Sequence, residues 1–437
     1  MSRVSGLLAL LLLPALAPAD DWPQWLGPDR DGVWKETGIV DTFPPGGPKR
    51  VWSAKVGGGY AGPAVVGDKV FVTDFVGTGK DQQERVLCRN TNDGTEVWTH
   101  GYPVQYGKVG YAAGPRCTPH VHGGLVYTVG TMGDLLCLAA ADGTVVWRKN
   151  FVTDFAAKVP IWGFASHPVI DGDNLICVTG GTTNNLVVAF DKTTGRQVWA
   201  AEATQADCGY AAVMIYEFGG TKTAVVWHGA AVLGLDPATG KRLWKQDFKT
   251  NYALTAPTPQ KVGGDRLFVT AFYEGPLLLK VAGNAVSVEW KGNGKGEKPD
   301  QTDKLHSIMP TPCVRGGHIY GVCSYGELRC LRLDTGERVW ATRRPTVGKT
   351  DDEGQPVRWG NAFLTPHGDR VFLFNEQGEL VIARLTPQGY EELDRAAIIK
   401  PTNKLAGRPV VWVHPAYAQR KLFVRNDQEL VCIDLAK

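Results

Sequence analysis

What this sequence has little of narrows it first. Its 437 residues carry 47 Lys and Arg against 44 Asp and Glu, a formal charge of only +3. So small an excess makes no basic surface, and no nucleic-acid partner is expected. No segment holds a 3.6-residue apolar period for long, which excludes a helical architecture. Beyond the N-terminus no apolar run approaches the roughly 20 residues of a membrane-spanning helix, so no transmembrane segment is expected. A phosphate-binding loop, a G-x-S-x-G elbow, an H-E-x-x-H zinc motif and a dinucleotide fingerprint are all missing. Methionine is scarce, at 4, whereas Gly (53), Pro (27) and Trp (14) are plentiful. That balance points to many turns around a β-rich core.

The first 19 residues read as a signal peptide. Arg3 supplies a basic start, Leu7 to Leu13 is apolar, and Ala17-Pro18-Ala19 offers small residues where a signal peptidase reads. Pro14 interrupts the stretch and Asp20-Asp21 ends it, which argues against a membrane anchor. No Cys stands at the cleavage site to carry a lipid. A secreted or periplasmic protein beginning at Asp20 is expected.

At roughly 150 residues per domain the chain would hold two or three domains, but an internal repeat overrides that count. A small residue is followed two positions on by a partner, six on by Gly and ten on by Trp. The clearest copies are Ala189-Phe-Asp191-Lys-Thr-Thr-Gly195-Arg-Gln-Val-Trp199 and Gly234-Leu-Asp236-Pro-Ala-Thr-Gly240-Lys-Arg-Leu-Trp244. Cys88 to Trp98, Cys137 to Trp147 and Cys330 to Trp340 keep the spacing without the Asp; the copy ending at Trp290 is degenerate, and one near Glu392-Leu393 has lost its Trp. From Trp52 to Trp340 the tryptophans recur every 45 to 52 residues, the length of one four-stranded blade. The Gly ends a tight turn between third and fourth strands, where positive φ is needed, and the Trp packs toward the next blade.

Counting Trp52, Trp98, Trp147, Trp199, Trp244, Trp290, Trp340 and the Glu392-Leu393 region gives eight outer strands. The C-terminus supplies three strands without a fourth, and Lys49 to Lys55 is a fourth without the other three. Joining them closes a ring and removes two exposed edges. The expected fold is therefore all-β: a single eight-bladed β-propeller of four-stranded antiparallel blades over residues 20–437. Residues 20–48 form an N-terminal extension and 49–55 the closing strand.

Nine cysteines in an exported chain could imply a disulfide framework. Cys88, Cys137, Cys330 and Cys432, however, fall at the small-residue position of different blades, too far apart to bridge, and serve there as small hydrophobes. Cys313 and Cys323, on adjacent strands of one blade, are the one pair left open as a bridge.

The small-x-Asp-x-x-x-Gly-x-x-x-Trp spacing resembles the tryptophan-docking repeat of the pyrroloquinoline quinone (PQQ) enzymes. The chain is similar to the PQQ-like repeat superfamily, which includes quinoprotein alcohol dehydrogenases and the outer-membrane assembly factor BamB. More narrowly, Trp22-Pro-Gln-Trp-Leu-Gly-Pro-Asp-Arg-Asp-Gly32, Gly378 to Leu393 and Arg425-Asn-Asp-Gln-Glu-Leu430 resemble exported propeller proteins of planctomycete bacteria. The resemblance implies the fold but no settled activity. Quinoprotein dehydrogenases carry two adjacent cysteines against the quinone and hold Ca²⁺ with acidic and amide oxygens. This chain has no Cys-Cys and no match to the calcium pattern. No cofactor is expected, and PQQ with calcium is disfavoured.

His120-Val-His122 has metal-ligand spacing, but Cys117 is the only soft ligand nearby and Gly123-Gly124 follows at once, so it reads as a strand running into a turn. More informative are the segments leading into the first strand of several blades. They hold Arg116, Trp162, His167, Asn251, His306, Arg358, Trp359, Asn361 and His414. In a propeller those places surround one axial opening, so these residues form a candidate binding rim. The plainer alternative is that each His or Arg pins a loop and each Trp fills between blades. Lys291 to Lys304 has no apolar residue and is a solvated loop. The function expected is a binding or scaffolding module for a protein, peptide or glycan partner, with a monomer as its state. The alternatives are a divergent PQQ-dependent periplasmic dehydrogenase and an enzyme of another class, such as a carbohydrate-active lyase or hydrolase.

Overall fold

In every blade of the computed structural model the same register recurs, and it explains the repeat. The structure describes residues 20–294, 296–347, 356–405 and 407–437; the expected signal peptide, residues 1–19, lies outside them. The signature Trp on the fourth strand stands opposite the signature's small residue on the third: Trp98 opposite Cys88, Trp147 opposite Cys137, Trp199 opposite Ala189, Trp244 opposite Gly234 and Trp340 opposite Cys330. Trp52 stands opposite Cys432 in the same way. In these six blades a short side chain faces the wide indole, whereas Trp290 of blade 5 faces Leu278, and a register shift occurs beside the Trp position in each case.

The indole then reaches the next blade. Trp98 Nε1 donates to Ala140 O at 3.1 Å, Trp147 to Lys192 O at 3.0 Å and Trp199 to Pro237 O at 3.1 Å. The signature Gly of that next blade lies flat beneath the ring. Gly195 has φ +70°, and a Cβ there would stand 2.7 Å from the Trp147 ring. Positive φ and close approach both demand glycine at this position. The chain of contacts breaks at Trp244, whose buried Nε1 has no partner. The degenerate repeat ending at Trp290 belongs to the blade it faces.

Eight four-stranded sheets form. Blades 1 to 7 span residues 64–103, 120–150, 169–201, 214–247, 260–291, 313–342 and 362–397. Blade 8 joins Ala416–Ala418, Lys421–Arg425 and Glu429–Asp434 to the N-terminal strand Arg50–Lys55. The ring closes as the sequence predicts. Each first strand lines the axis. The face where these strands begin is called upper below, and the face where they end, lower. All nine cysteines are buried and free. Cys313 packs with the core shared by blades 6 and 7, Cys323 with the core between blades 5 and 6, so the pair left open as a bridge points to opposite sides of its sheet.

Residues 20–48, expected only as an extension, are built into the ring. Trp22 pairs both ways with Val65 of blade 1, Pro23 O accepts from Val121 N of blade 2, and Trp34 N donates to Pro366 O of blade 7. Arg30 Nη1 donates to Pro168 O at 3.1 Å and Nη2 to Val213 O at 2.9 Å, which ties in blades 3 and 4. Ile39 forms a bridge with Ala436 beyond blade 8. Trp22, Leu26, Trp34 and Ile39 are each at most 2% exposed. The segment turns back on itself through Leu26, Gly27, Arg30 and Gly32, all at positive φ. It acts as a plug in the lower mouth of the channel. Among the described residues no helix is long and apolar enough to cross a membrane.

Candidate functional site

The plug leaves the upper half of the channel as a cup of about 200 Å³. Trp25, carried up by the plug, is its floor. The Trp25 ring stacks on His167 at 4.2 Å and 20° and meets His414 edge-on at 5.0 Å; its Nε1 donates to Thr258 Oγ1 at 2.9 Å. Burial holds both imidazoles neutral, His414 pushed down to about 4 and His167 well below the usual histidine range, with the nearby Arg30 charge adding to the effect on His167. His414 Nδ1 bonds Pro415 O at 2.8 Å. His167 is 7% exposed and its buried Nε2 has no partner.

The wall is aromatic all round. Tyr60, Tyr111, Trp162, Tyr210, Tyr273, Trp359 and Trp412 line it, with Met309 and Ile308 from the segment before blade 6. Trp162 and Trp359 lead into blades 3 and 7, which stand across the ring from each other. Around the mouth the backbone is strained. Tyr111 (φ 54°), Tyr252 (φ 57°) and Trp359 (φ 63°) occupy the left-handed region, where bulky residues are genuine outliers. Tyr252 is 61% exposed and its ring bridges Trp162 (6.4 Å) and Tyr273 (5.8 Å). Among the described residues no Asp or Glu lines the cup.

Of the nine rim candidates, five come together here: Arg116, Trp162, His167, Trp359 and His414. Arg358 sits just outside, 4.3 Å over the Trp359 ring and ion-paired with Glu297 at 2.7 Å. Asn251 is exposed at the lip, its N–H held by Glu274 at 2.8 Å. His306 and Asn361 are buried away from the opening. His306 Nδ1 bonds Phe272 O at 3.1 Å beneath the Gly275 and Gly294 backbones, so it pins a loop. Asn361 is 1% exposed, with both side-chain polar atoms unpartnered. Arg116 reaches the wall, yet its Nη atoms donate to Gly110 O (2.9 Å), Tyr111 O (2.6 Å), Gly114 O and Thr131 Oγ1. It orders the lip instead of offering a fork to a ligand. His122 is exposed while His120 is buried, and among the described residues no three potential metal ligands cluster.

Trp25, Tyr60, Tyr111, Tyr210, Tyr273 and Met309 are lining residues that sequence reasoning missed. One signal was available. Seven of the 14 tryptophans sit at blade-docking positions, and the others are Trp22, Trp25, Trp34, Trp162, Trp227, Trp359 and Trp412. Four of those seven face the cup.

Comparison with known proteins agrees with this architecture. A family profile described as outer membrane protein assembly factor BamB matches residues 82–342. BamB from Moraxella catarrhalis superposes with a TM-score of 0.57 at 14% identity, over 88% of this chain and 97% of its own. A quinohemoprotein alcohol dehydrogenase from Comamonas testosteroni gives 0.63 at 14% identity, over 95% of this chain and 81% of its own. A europium-containing methanol dehydrogenase gives 0.58 at 12% identity, over 95% and 89%. At these identities the likeness is one of fold. No curated protein matches the sequence.

Proposed function

This chain belongs to the PQQ-like β-propeller family described as outer membrane protein assembly factor BamB, and from that premise we propose that it is an exported, non-catalytic binding module whose upper cup holds one end of a glycan. The observation that carries the reading is the make-up of the cup: aromatic faces on every side, with hydrogen-bonding edges left free. Among the described residues Trp162 Nε1, Trp359 Nε1 and the Tyr111 and Tyr273 hydroxyls have no protein partner, and His167 waits at the floor. A sugar ring has apolar faces to stack and a rim of hydroxyls to bond, so it uses both kinds of surface. Cleaving a glycan requires two carboxyl groups flanking the bond. Among the described residues none stands in the wall, which favours holding over cleavage.

The likeness to quinone-dependent dehydrogenases favours a second reading, which the residues do not fit. Calcium asks for several carboxylate or carbonyl oxygens, and among the described residues the lining offers no carboxylate. The adjacent cysteine pair is absent, and the one guanidinium in the wall is engaged by backbone. The family description itself favours a protein partner, which the test must separate from a sugar.

Titrating tryptophan fluorescence with neutral oligosaccharides tests the proposal. Binding is expected, and the double variant Trp162→Ala, Trp359→Ala should weaken it at least tenfold, about 1.4 kcal/mol, at unchanged thermal midpoint. Silence toward every glycan, with a peptide competing at the same two tryptophans, would replace the sugar by a protein partner. Indifference of all binding to the double variant would sink the cup as the site.

A further inference from the structure

The plug contains a buried carboxylate with no cation beside it among the described residues. Glu36 is 7% exposed. Its Oε2 accepts from Trp34 Nε1 at 2.9 Å and from Arg420 N at 2.8 Å, and its Oε1 accepts from Asp20 N at 3.2 Å. All three donors are neutral N–H groups. The charges packed around it are committed elsewhere or out of reach. Lys35 pairs with Asp29 at 2.5 Å and Asp31 at 3.2 Å. The Arg420 side chain lies along Gly38 and makes no ion pair with Glu36 among the described residues. Asp21 receives Gly67 N, and the Asp20 carboxylate adds only like charge. An ionised carboxylate taken from water without a counter-ion is costly, so this site asks for a positive group at the end where Asp20 N stands.

Asp20 is held there from both sides. Its carbonyl accepts from Gln419 N at 3.3 Å, in the same turn whose Arg420 N reaches Glu36. Two residues on, Trp22 begins its pairing with blade 1. The backbone nitrogen of Asp20 is thus fixed on the carboxylate, between the hairpins of blades 8 and 1. Asp20 is also the residue that the Ala17-Pro18-Ala19 sequence marks as the first after signal-peptide cleavage.

We infer that Glu36 is the receptor for the α-ammonium group of Asp20, and that cleavage of the Ala19–Asp20 bond completes the plug. An exported protein's signal peptidase would add water across that amide. Ala19 leaves with a carboxylate, and Asp20 keeps its nitrogen as a protonated amine. A neutral N–H donor becomes a charged one on the same oxygen, and charge-assisted bonds are roughly twice as strong. The counter-ion of Glu36 is therefore made by processing. This inference rests on the exported reading above, but the pair itself can be tested without export.

Two purified proteins suffice: one released from a tag so that it starts at Asp20 with a free amine, and one with Met-Gly left before Asp20. The first should melt higher, by on the order of 1–3 °C for a chain of this size. In the Glu36→Gln background the two should melt together. Should Glu36→Gln not fold, the pH dependence of cyanate reaction at the α-amine serves in the unaltered protein. It should titrate above the ordinary range of about 7.7–8.0. Equal midpoints with Glu36 present, or an amine titrating in the ordinary range, overturn the ion pair. Exported protein starting anywhere but Asp20 overturns the processing step, whatever the midpoints.

Discussion

Three side chains at the lip of the cup stand in a backbone conformation that aromatic residues avoid, and Tyr252 has only ring contacts with Trp162 and Tyr273 to set against it. Tyr252 is mostly exposed, so its left-handed φ is not forced by burial. Such strain costs of order 1–3 kcal/mol per residue and concentrates where a surface is kept ready for a ligand. Tyr252→Gly should therefore raise stability in urea by up to about 1 kcal/mol while weakening ligand binding; lower stability with unchanged binding would assign the strain to the fold instead. At this scale the sequence was only partly readable. Arg116 and His306 look like ligand-binding residues in one dimension, yet both are engaged by backbone carbonyls, a role that depends on loops they meet only in space. Trp412 could be seen two residues before His414, but nothing local separates a tryptophan that fills a gap from one that faces an opening.

Among elements, the strands and their turns were legible and the plug was not. A blade is written locally: the small residue, the Gly and the Trp lie within eleven positions, and their register follows from that spacing. The plug makes its contacts with partners tens to hundreds of residues away, as when Arg30 meets Pro168 and Val213, and no periodicity records them. Its sequence Trp22-Pro-Gln-Trp-Leu-Gly-Pro-Asp-Arg-Asp-Gly32 stood out by family resemblance, without a structural meaning until the channel was in view. Removing residues 20–48 while keeping Arg50–Lys55 should leave a closed, monodisperse ring. That ring should lose several kcal/mol, since Trp22, Leu26, Trp34 and Ile39 each contribute about 1.5–3 kcal/mol of burial before ordering costs. It should also bind ligand poorly, with Trp25 gone from the floor. Light scattering and urea unfolding read both effects; aggregation of this truncation would mean that the plug, and not the closing strand, holds the ring.

For the molecule as a whole, one strand decides between a ring and an open arc. A deletion of residues 20–56 differs from the plug truncation by little more than Arg50–Lys55, yet it leaves Glu429–Asp434 with an unpaired edge. Unpaired apolar edges recruit other chains. The longer deletion is expected to elute as aggregate where the shorter one elutes as monomer, and equal behaviour would place the closing contribution elsewhere. The same strand sets a schedule. Trp52 is among the first residues of the ring to be made and its partner Cys432 among the last, separated at ribosomal speed by on the order of tens of seconds. Until Glu429–Asp434 arrives, blade 8 does not exist and Trp52 has no sheet to join. Early blades can form in the meantime, but the molecule has no finished state to settle into before its synthesis ends. The ring is thereby kept from closing before the chain is complete, because the clasp is carried by its two ends.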